Sequence, residues 1–209
     1  MLQRIKSKTK SFLQRRWWLI LLVLMTYTVG VALGALGVTV LNEEQVGTLT
    51  ILVDNFMDHV ATMEVNTDAY TKDVLWRIWK DVGLIYFLSL TVIGLPLAYI
   101  ILFFRGFLLG FVTAFFAQEK ALSGIIFAFL AMVPQNLITI PAFILLVVVS
   151  SEFSWYLLTR GWRKRIPFGA KFTHYTFITF TLSALASLGG LVEVYITPQL
   201  MKLMASLLG

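Results

Sequence analysis

The chain has 209 residues, 58% hydrophobic and only 13% charged, and its mean hydropathy is +0.83. A soluble domain carries roughly 45–50% apolar and about 25% charged residues, so this composition excludes a water-exposed globule and points to a bilayer, which accepts an apolar exterior. With no cysteine in the chain, disulfides, thiolate metal sites and a cysteine nucleophile are excluded as well.

The formal net charge of +6 gathers in two clusters beside apolar runs. One is Arg4, Lys6, Lys8, Lys10, Arg15 and Arg16; the other is Arg160, Arg163, Lys164, Arg165 and Lys171. This is the pattern of cytoplasmic segments flanking membrane spans. Without a basic face, it argues against nucleic-acid binding.

Residues 1–16 read as a basic cytoplasmic tail and 17–41 as a first spanning helix of 25 residues. That run is longer than the ~7–15 apolar residues of a signal peptide, and it exceeds the ~20 a spanning helix needs. It predicts a retained anchor, with Trp17 and Trp18 in the headgroup layer. Residues 42–81 form an acidic extracytoplasmic segment. Between Asn42 and Asp73 it carries seven acids against Lys72 alone, a net charge of −6. Within it Val46, Leu49, Val53, Phe56, Val60 and Met63 recur at alternating spacings of 3 and 4, which is one stripe of a helix. The stripe is a candidate docking face for an extracytoplasmic partner, or it is covered by this protein's own bundle. A second short helix follows, capped by Thr67 or Asp68 and bearing Trp76 and Trp79.

Four further elements follow. Residues 83–104 predict a second span, closed by Arg105. Residues 106–117 predict a third helix, short because twelve residues reach about 18 Å of a ~30 Å core. Residues 121–149 predict a fourth, broken at Pro134-Gln135-Asn136 and Pro141. A basic cytoplasmic loop, 150–171, leads to a fifth helix, 172–196. Putting both basic clusters inside requires 106–149 to cross an even number of times. The expected fold is therefore an all-α integral membrane protein, one multi-pass domain over 1–209. It has about five transmembrane helices, the N-terminus cytoplasmic and the C-terminus outside.

No metalloprotease, serine-hydrolase or phosphate-loop motif occurs, and His59 and His174 fall in different parts of this topology. No catalytic residue, metal or cofactor is expected. Two small-x-x-x-small pairs, Gly30/Gly34 and Gly106/Gly110, allow close helix approach. They serve packing inside the bundle, or a dimer or partner interface, so a homo-oligomer stays open. Proline in a spanning helix frees carbonyls that must find partners. Gln135 and Asn136 are then interhelical glue, or a solute or ion site of the kind formed by discontinuous helices. Glu193 is expected to reach the interface from the outer end of the last span.

The stretches Gly94-Leu95-Pro96, Arg105-Gly106-Phe107-Leu108-Leu109-Gly110-Phe111, Val133-Pro134-Gln135-Asn136-Leu137 and Ile140-Pro141-Ala142 resemble stage II sporulation protein M in order and spacing. Proteins of that family act in endospore-forming bacteria during engulfment. The resemblance implies a non-enzymatic scaffold in the mother-cell membrane at the sporulation septum. It would recruit and position two peptidoglycan hydrolases, stage II sporulation proteins D and P. The alternative is a transporter or permease-like component with its polar site at the broken fourth helix.

Overall fold

No proline or glycine precedes Gly30, and Lys, Arg, Gln and Leu are strong helix formers. The computed structural model describes residues 2–62, 67–91, 94–160 and 168–201, and α1 runs through Leu2–Val38. The predicted basic tail is thus the first turns of the same helix. Thr39 ends it, its amide and hydroxyl both donating to the Leu36 carbonyl at 3.0 and 2.7 Å.

Helix α2 is Glu43–Thr62. Asn42 caps it reciprocally: the Gln45 amide donates to Asn42 Oδ1 at 2.9 Å, and the Asn42 amide donates to Gln45 Oε1 at 3.1 Å. Two otherwise orphaned donors are satisfied in this way, and Glu43 and Glu44 in the first turn complement the helix dipole.

Helix α3 is Thr67–Leu90 and α4 starts at Leu95, so the predicted span 83–104 is not one helix. The reason is local. The Gly94 amide donates back to the Thr91 carbonyl at 3.1 Å, and a Cβ on Gly94 would fall on the Leu88 carbonyl. Glycine alone fits there, and Pro96 sits in the first turn of the next helix, where its missing N–H costs nothing.

Helix α4 is helical from Leu95 to Arg160, which would be roughly 100 Å if straight. It is not straight: Tyr99 Oη lies 3.0 Å from Ser151 Oγ, and the Phe116 and Phe127 rings are 5.3 Å apart. The helix doubles back between Glu119 and Gly124 into two antiparallel arms, Leu95–Glu119 and Gly124–Thr159. Three expectations are corrected here. Residues 106–117 are the continuation of Leu95–Phe104, not a short separate helix. Arg105 stands mid-helix, not at a span boundary. The second arm passes unbroken through Pro134 and Pro141, because the packed residues around them, among them Ala142, Phe143, Leu146 and Val147, hold the helix despite two missing donors. The predicted loop from residue 150 is also helical as far as Arg160; Ser150, Ser151 and Ser154 lie in the core.

Helix α5 is Phe168–Tyr195. It runs antiparallel to the second arm, with Gly189 against Gln135 and Thr139 and Tyr175 against Ser150. It is also antiparallel to α3, with Arg77 on Glu193 and Tyr86 on Thr176.

Helix α1 packs on the first arm of α4 at the two glycine pairs. A Cβ on Gly30 or Gly34 would strike the carbonyl of Phe103 or Phe107, and one on Gly106 or Gly110 that of Tyr27 or Val31. Backbone touches backbone, and the numbering rises together on both sides, so these helices are parallel.

The bundle is arranged as a lipid-exposed one. Val29, Leu33, Phe87, Phe104, Leu137 and Phe177 face outward, while Ser89, Ser150, Ser154 and Ser183 are buried. The inner hydroxyls bond across helices. Tyr175 Oη meets Ser89 Oγ, and Ser154 Oγ donates to the Ser89 carbonyl at 2.6 Å. Small and hydroxyl-bearing residues of this kind mediate helix contacts where lipid competes equally for apolar surface. Among the described residues, four helical stretches are long and apolar enough to cross a membrane: Trp17–Val38, Leu95–Glu119, Gly124–Thr159 and Phe168–Met201.

Two glycine substitutions separate close packing from helix propensity. Gly34→Ala forces α1 off α4 and is expected to cost about 1–3 kcal/mol, the range for overpacking. Gly83 has open space around it, so Gly83→Ala is expected to gain ~0.5–1 kcal/mol. Thermal unfolding of the detergent-solubilised variants measures both; equal melting temperatures would refute the close contact.

Candidate functional site

The second turn of α3 and those after it place Lys72, Asp73, Arg77, Lys80 and Asp81 on a helix that lies against α4 and α5. Arg77 and Asp81, four residues apart, share a face. Arg77 pairs with Glu193 on α5, whose carboxylate also accepts a 3.3 Å hydrogen bond from Tyr70 Oη. Asp81 accepts from Arg105 Nη2 at 2.7 Å, and the Arg105 guanidinium carbon sits 3.6 Å from the Phe143 ring centre. Two cations and two anions thus form a neutral seam running from the half-exposed Arg77 to Arg105, whose side chain is 24% exposed.

Desolvating charge inside an apolar bundle is costly unless each charge is paired. The pairing here is complete in charge and incomplete in hydrogen bonding: Arg105 Nε and, in the same layer of α1, Tyr27 Oη are buried without a partner. Sequence reading missed this seam. It took Arg105 as a span boundary and Glu193 as reaching the interface. The available signal was the oppositely charged Arg77/Asp81 pair on one helical face, together with a single cation inside 22 otherwise uncharged residues from Leu95 to Phe116.

Beside the seam lies a cavity of about 360 Å³. Its walls are largely aromatic and aliphatic: Phe111, Phe115, Phe116 and Phe127 from the two arms of α4, and Leu49 and Val53 from α2. Tyr70, Gln135, Glu193 and Thr197 supply its polar side. Helix α2 is tied across this end by Thr50 Oγ1, which donates to Glu119 Oε2 at 2.9 Å, and by Val53, packed on the Phe116, Phe127, Ala128 and Met201 cluster.

The predicted site residues distribute as follows. Gly30, Gly34, Gly106 and Gly110 come together within the chain. Pro134 and Pro141 stay inside a continuous helix. Gln135 is brought to the cavity, and its Oε1 is buried with no partner, so that oxygen makes none of the interhelical bonds expected of it; Asn136 is half-buried one position on. Of the stripe, Val46, Leu49 and Val53 are half-buried, and Leu49 and Val53 line the cavity together with the exposed Leu52, while Ile51 is exposed away from that lining. The side chains of Phe56, Val60, Met63 and His59 lie outside the described residues; His174 is exposed. No group of three or more metal-ligating side chains occurs among the described residues.

A double-mutant cycle tests the seam. Asp81→Leu strands Arg105 and is expected to cost on the order of 3 kcal/mol, the low end for a buried pair that keeps some exposure. Adding Arg105→Met should return most of that stability. If the double variant unfolds no later than Asp81→Leu in thermal melts, the two residues are not coupled.

A family model described as Stage II sporulation protein M matches residues 18–198 of the chain. No curated protein and no solved structure matches it.

Proposed function

The chain belongs to the stage II sporulation protein M family, a membership that implies a role in sporulation, and from that premise we propose that it is a non-enzymatic membrane scaffold of engulfment. In this reading it sits in the mother-cell membrane at the septum and holds the peptidoglycan hydrolases, stage II sporulation proteins D and P, on its outer face. The four charges of its seam, Arg77, Glu193, Asp81 and Arg105, are paired with one another, as in a fixed support.

One observation supports a five-crossing topology. The first span and the first arm of α4 are parallel, so the chain between them must return across the same layer. Helix α3 is the returning pass. With α1, the two arms of α4 and α5, it makes five crossings. The N-terminal basic cluster puts α1's start inside, and α2 and the end of α5 are then outside. The acids of α2 stay in water, and of the acids of α3 only Asp81 belongs to the neutral seam.

Helix α2 is the element offered to partners. Its stripe leans on the bundle at Leu49 and Val53, so the side available to a partner is the one carrying Ile51, 63% exposed. The transporter reading drew on a discontinuous fourth helix, and the continuity of α4 through both prolines removes that support.

The absence of cysteine makes each introduced thiol the sole one. In intact cells, an impermeant maleimide is expected to label Glu44→Cys and to spare Lys171→Cys; the reverse pattern would overturn the orientation. In sporulating cells, Ile51→Glu should leave abundance normal and reduce co-purification of the two hydrolases by about tenfold or more, the effect of ~1.4 kcal/mol or more at an interface. Undiminished capture would remove this face of α2 as the docking surface.

A further inference from the structure

Helix α3 keeps one face outside the bundle. Trp76, Lys80, Gly83 and Phe87 follow one another at spacings of 4, 3 and 4, so they form one stripe of the helix. Trp76 is 72% and Phe87 68% exposed. Lys80 is exposed as well, and a Cβ on Gly83 would meet nothing within 4 Å. Asp81, the next residue, turns about 100° away from Lys80 to reach Arg105.

The depth of Lys80 follows from neighbouring contacts. Tyr27 stands at the middle of the Trp17–Val38 span, and its carbonyl is what a Cβ on Gly106 would strike. Arg105 adjoins Gly106 and pairs with Asp81 at 2.7 Å, and Lys80 adjoins Asp81. Counted from the other side, Lys80 to the inner end of α3 at Leu90 is roughly 15 Å of helix, half of a ~30 Å core. On the five-crossing topology proposed above, from which this inference proceeds, Lys80 stands near the bilayer midplane on an outward face. Its four-carbon stem, of bonds about 1.5 Å long, is too short to bring the ammonium to the headgroups. Among the described residues no carboxylate pairs with it: the acids of the seam, Asp81 and Glu193, are taken by Arg105 and Arg77. A lysine placed in this way is costly against lipid. Nor is α3 one of the four stretches apolar enough to cross a membrane by themselves.

We propose that this face of α3 docks a transmembrane helix of a different protein, one that carries an Asp or Glu near its middle. The carboxyl meets Lys80 at the midplane, Gly83 lets the two backbones approach, and Trp76 and Phe87 pack on either side. A second copy of this chain is the wrong occupant. Copies inserted the same way pair about an axis along the membrane normal, so an isologous contact sets Lys80 against Lys80. The exposed acid nearest that face, Asp73, lies roughly 10 Å farther out along the helix. An anionic lipid headgroup stays at the interface, about 15 Å from the midplane. The surface is separate from the face of α2 and adds a contact inside the membrane.

The test places the full chain, with a donor fluorophore on Lys171→Cys as its sole thiol, in neutral phosphatidylcholine vesicles. Single-span poly-Leu/Ala helices carry the acceptor. An Asp-centred probe is expected to associate about tenfold or more better than a Leu-centred one, the scale of one interhelical hydrogen bond in lipid. Lys80→Leu should erase the difference, and Lys80→Glu should transfer the preference to a Lys-centred probe. Gly83→Leu, whose side chain enters open space in the free chain, should weaken association by a similar factor at an unchanged melting temperature. Equal association of the Asp- and Leu-centred probes would overturn the proposal, and so would a preference for Asp that survives Lys80→Leu. Self-association of the chain that Gly83→Leu abolishes would assign the face to a second copy instead. A nitroxide on Leu84→Cys separates this inference from the topology it uses. Contact with a water-soluble nickel chelate would remove both, whereas contact with oxygen and no preference for Asp would remove the inference alone. If Lys80→Glu does not insert, the Lys80→Leu comparison decides.

Discussion

Everything in this bundle follows from the backbone contact between α1 and the first arm of α4. Four glycines let two helices meet carbonyl to Cα, in an environment where the hydrophobic effect does nothing to favour helix pairing over lipid contact. That contact is parallel. Two parallel neighbours cannot be joined by a short turn, so another helix has to return between them. Of the two helices between them, α3 (Thr67–Leu90) is the one packed against α4 and α5, and it carries Asp68, Lys72, Asp73, Arg77, Lys80 and Asp81.

The seam is the consequence. A charged helix placed in an apolar bundle is tolerated when the charges that turn inward meet opposite ones. The half-exposed Arg77 and the partly buried Asp81 share one face of α3, and Glu193 and Arg105 stand opposite them. The Phe143 ring adds a face for the guanidinium, which suits Arg because its planar, weakly hydrated cation stacks where an ammonium would stay solvated. Deeper along the same helix the problem changes from charge to polarity, and Ser89 answers it with Tyr175 and Ser154.

The two ends of the bundle therefore differ in kind. The end near Tyr175 is closed by stacked rings, Phe153 on Tyr175 at 4.4 Å and Tyr86 on Tyr175 at 5.2 Å. The end under α2 is left open as a largely apolar cavity of about 360 Å³. Helix α2 is capped for autonomy by its own Asn42–Gln45 box and is held to the bundle through few groups, chiefly Thr50 and Val53.

By itself, the sequence determined that this is a helical membrane chain, where its basic flanks lie, and which glycines could bring helices together. Those are properties of composition and short spacing, which act locally: an apolar run of sufficient length enters lipid whatever its neighbours, and a glycine pair offers a flat surface whatever meets it. The motif stretches around Gly94, Gly106 and Pro134 also carried enough order to indicate the family. Only the tertiary structure decided that Gly30 and Gly34 meet Gly106 and Gly110. It also decided that Arg105 is interior, that the run 83–104 divides at Gly94, and that Pro134 and Pro141 leave their helix intact. Each of these turns on packing against other residues of the bundle, as Arg105 meets Asp81 24 residues away, or on a clash with one particular carbonyl. An arginine amid apolar residues reads as an end of a span until an aspartate on another helix neutralises it, and no count along the chain reveals that aspartate's position.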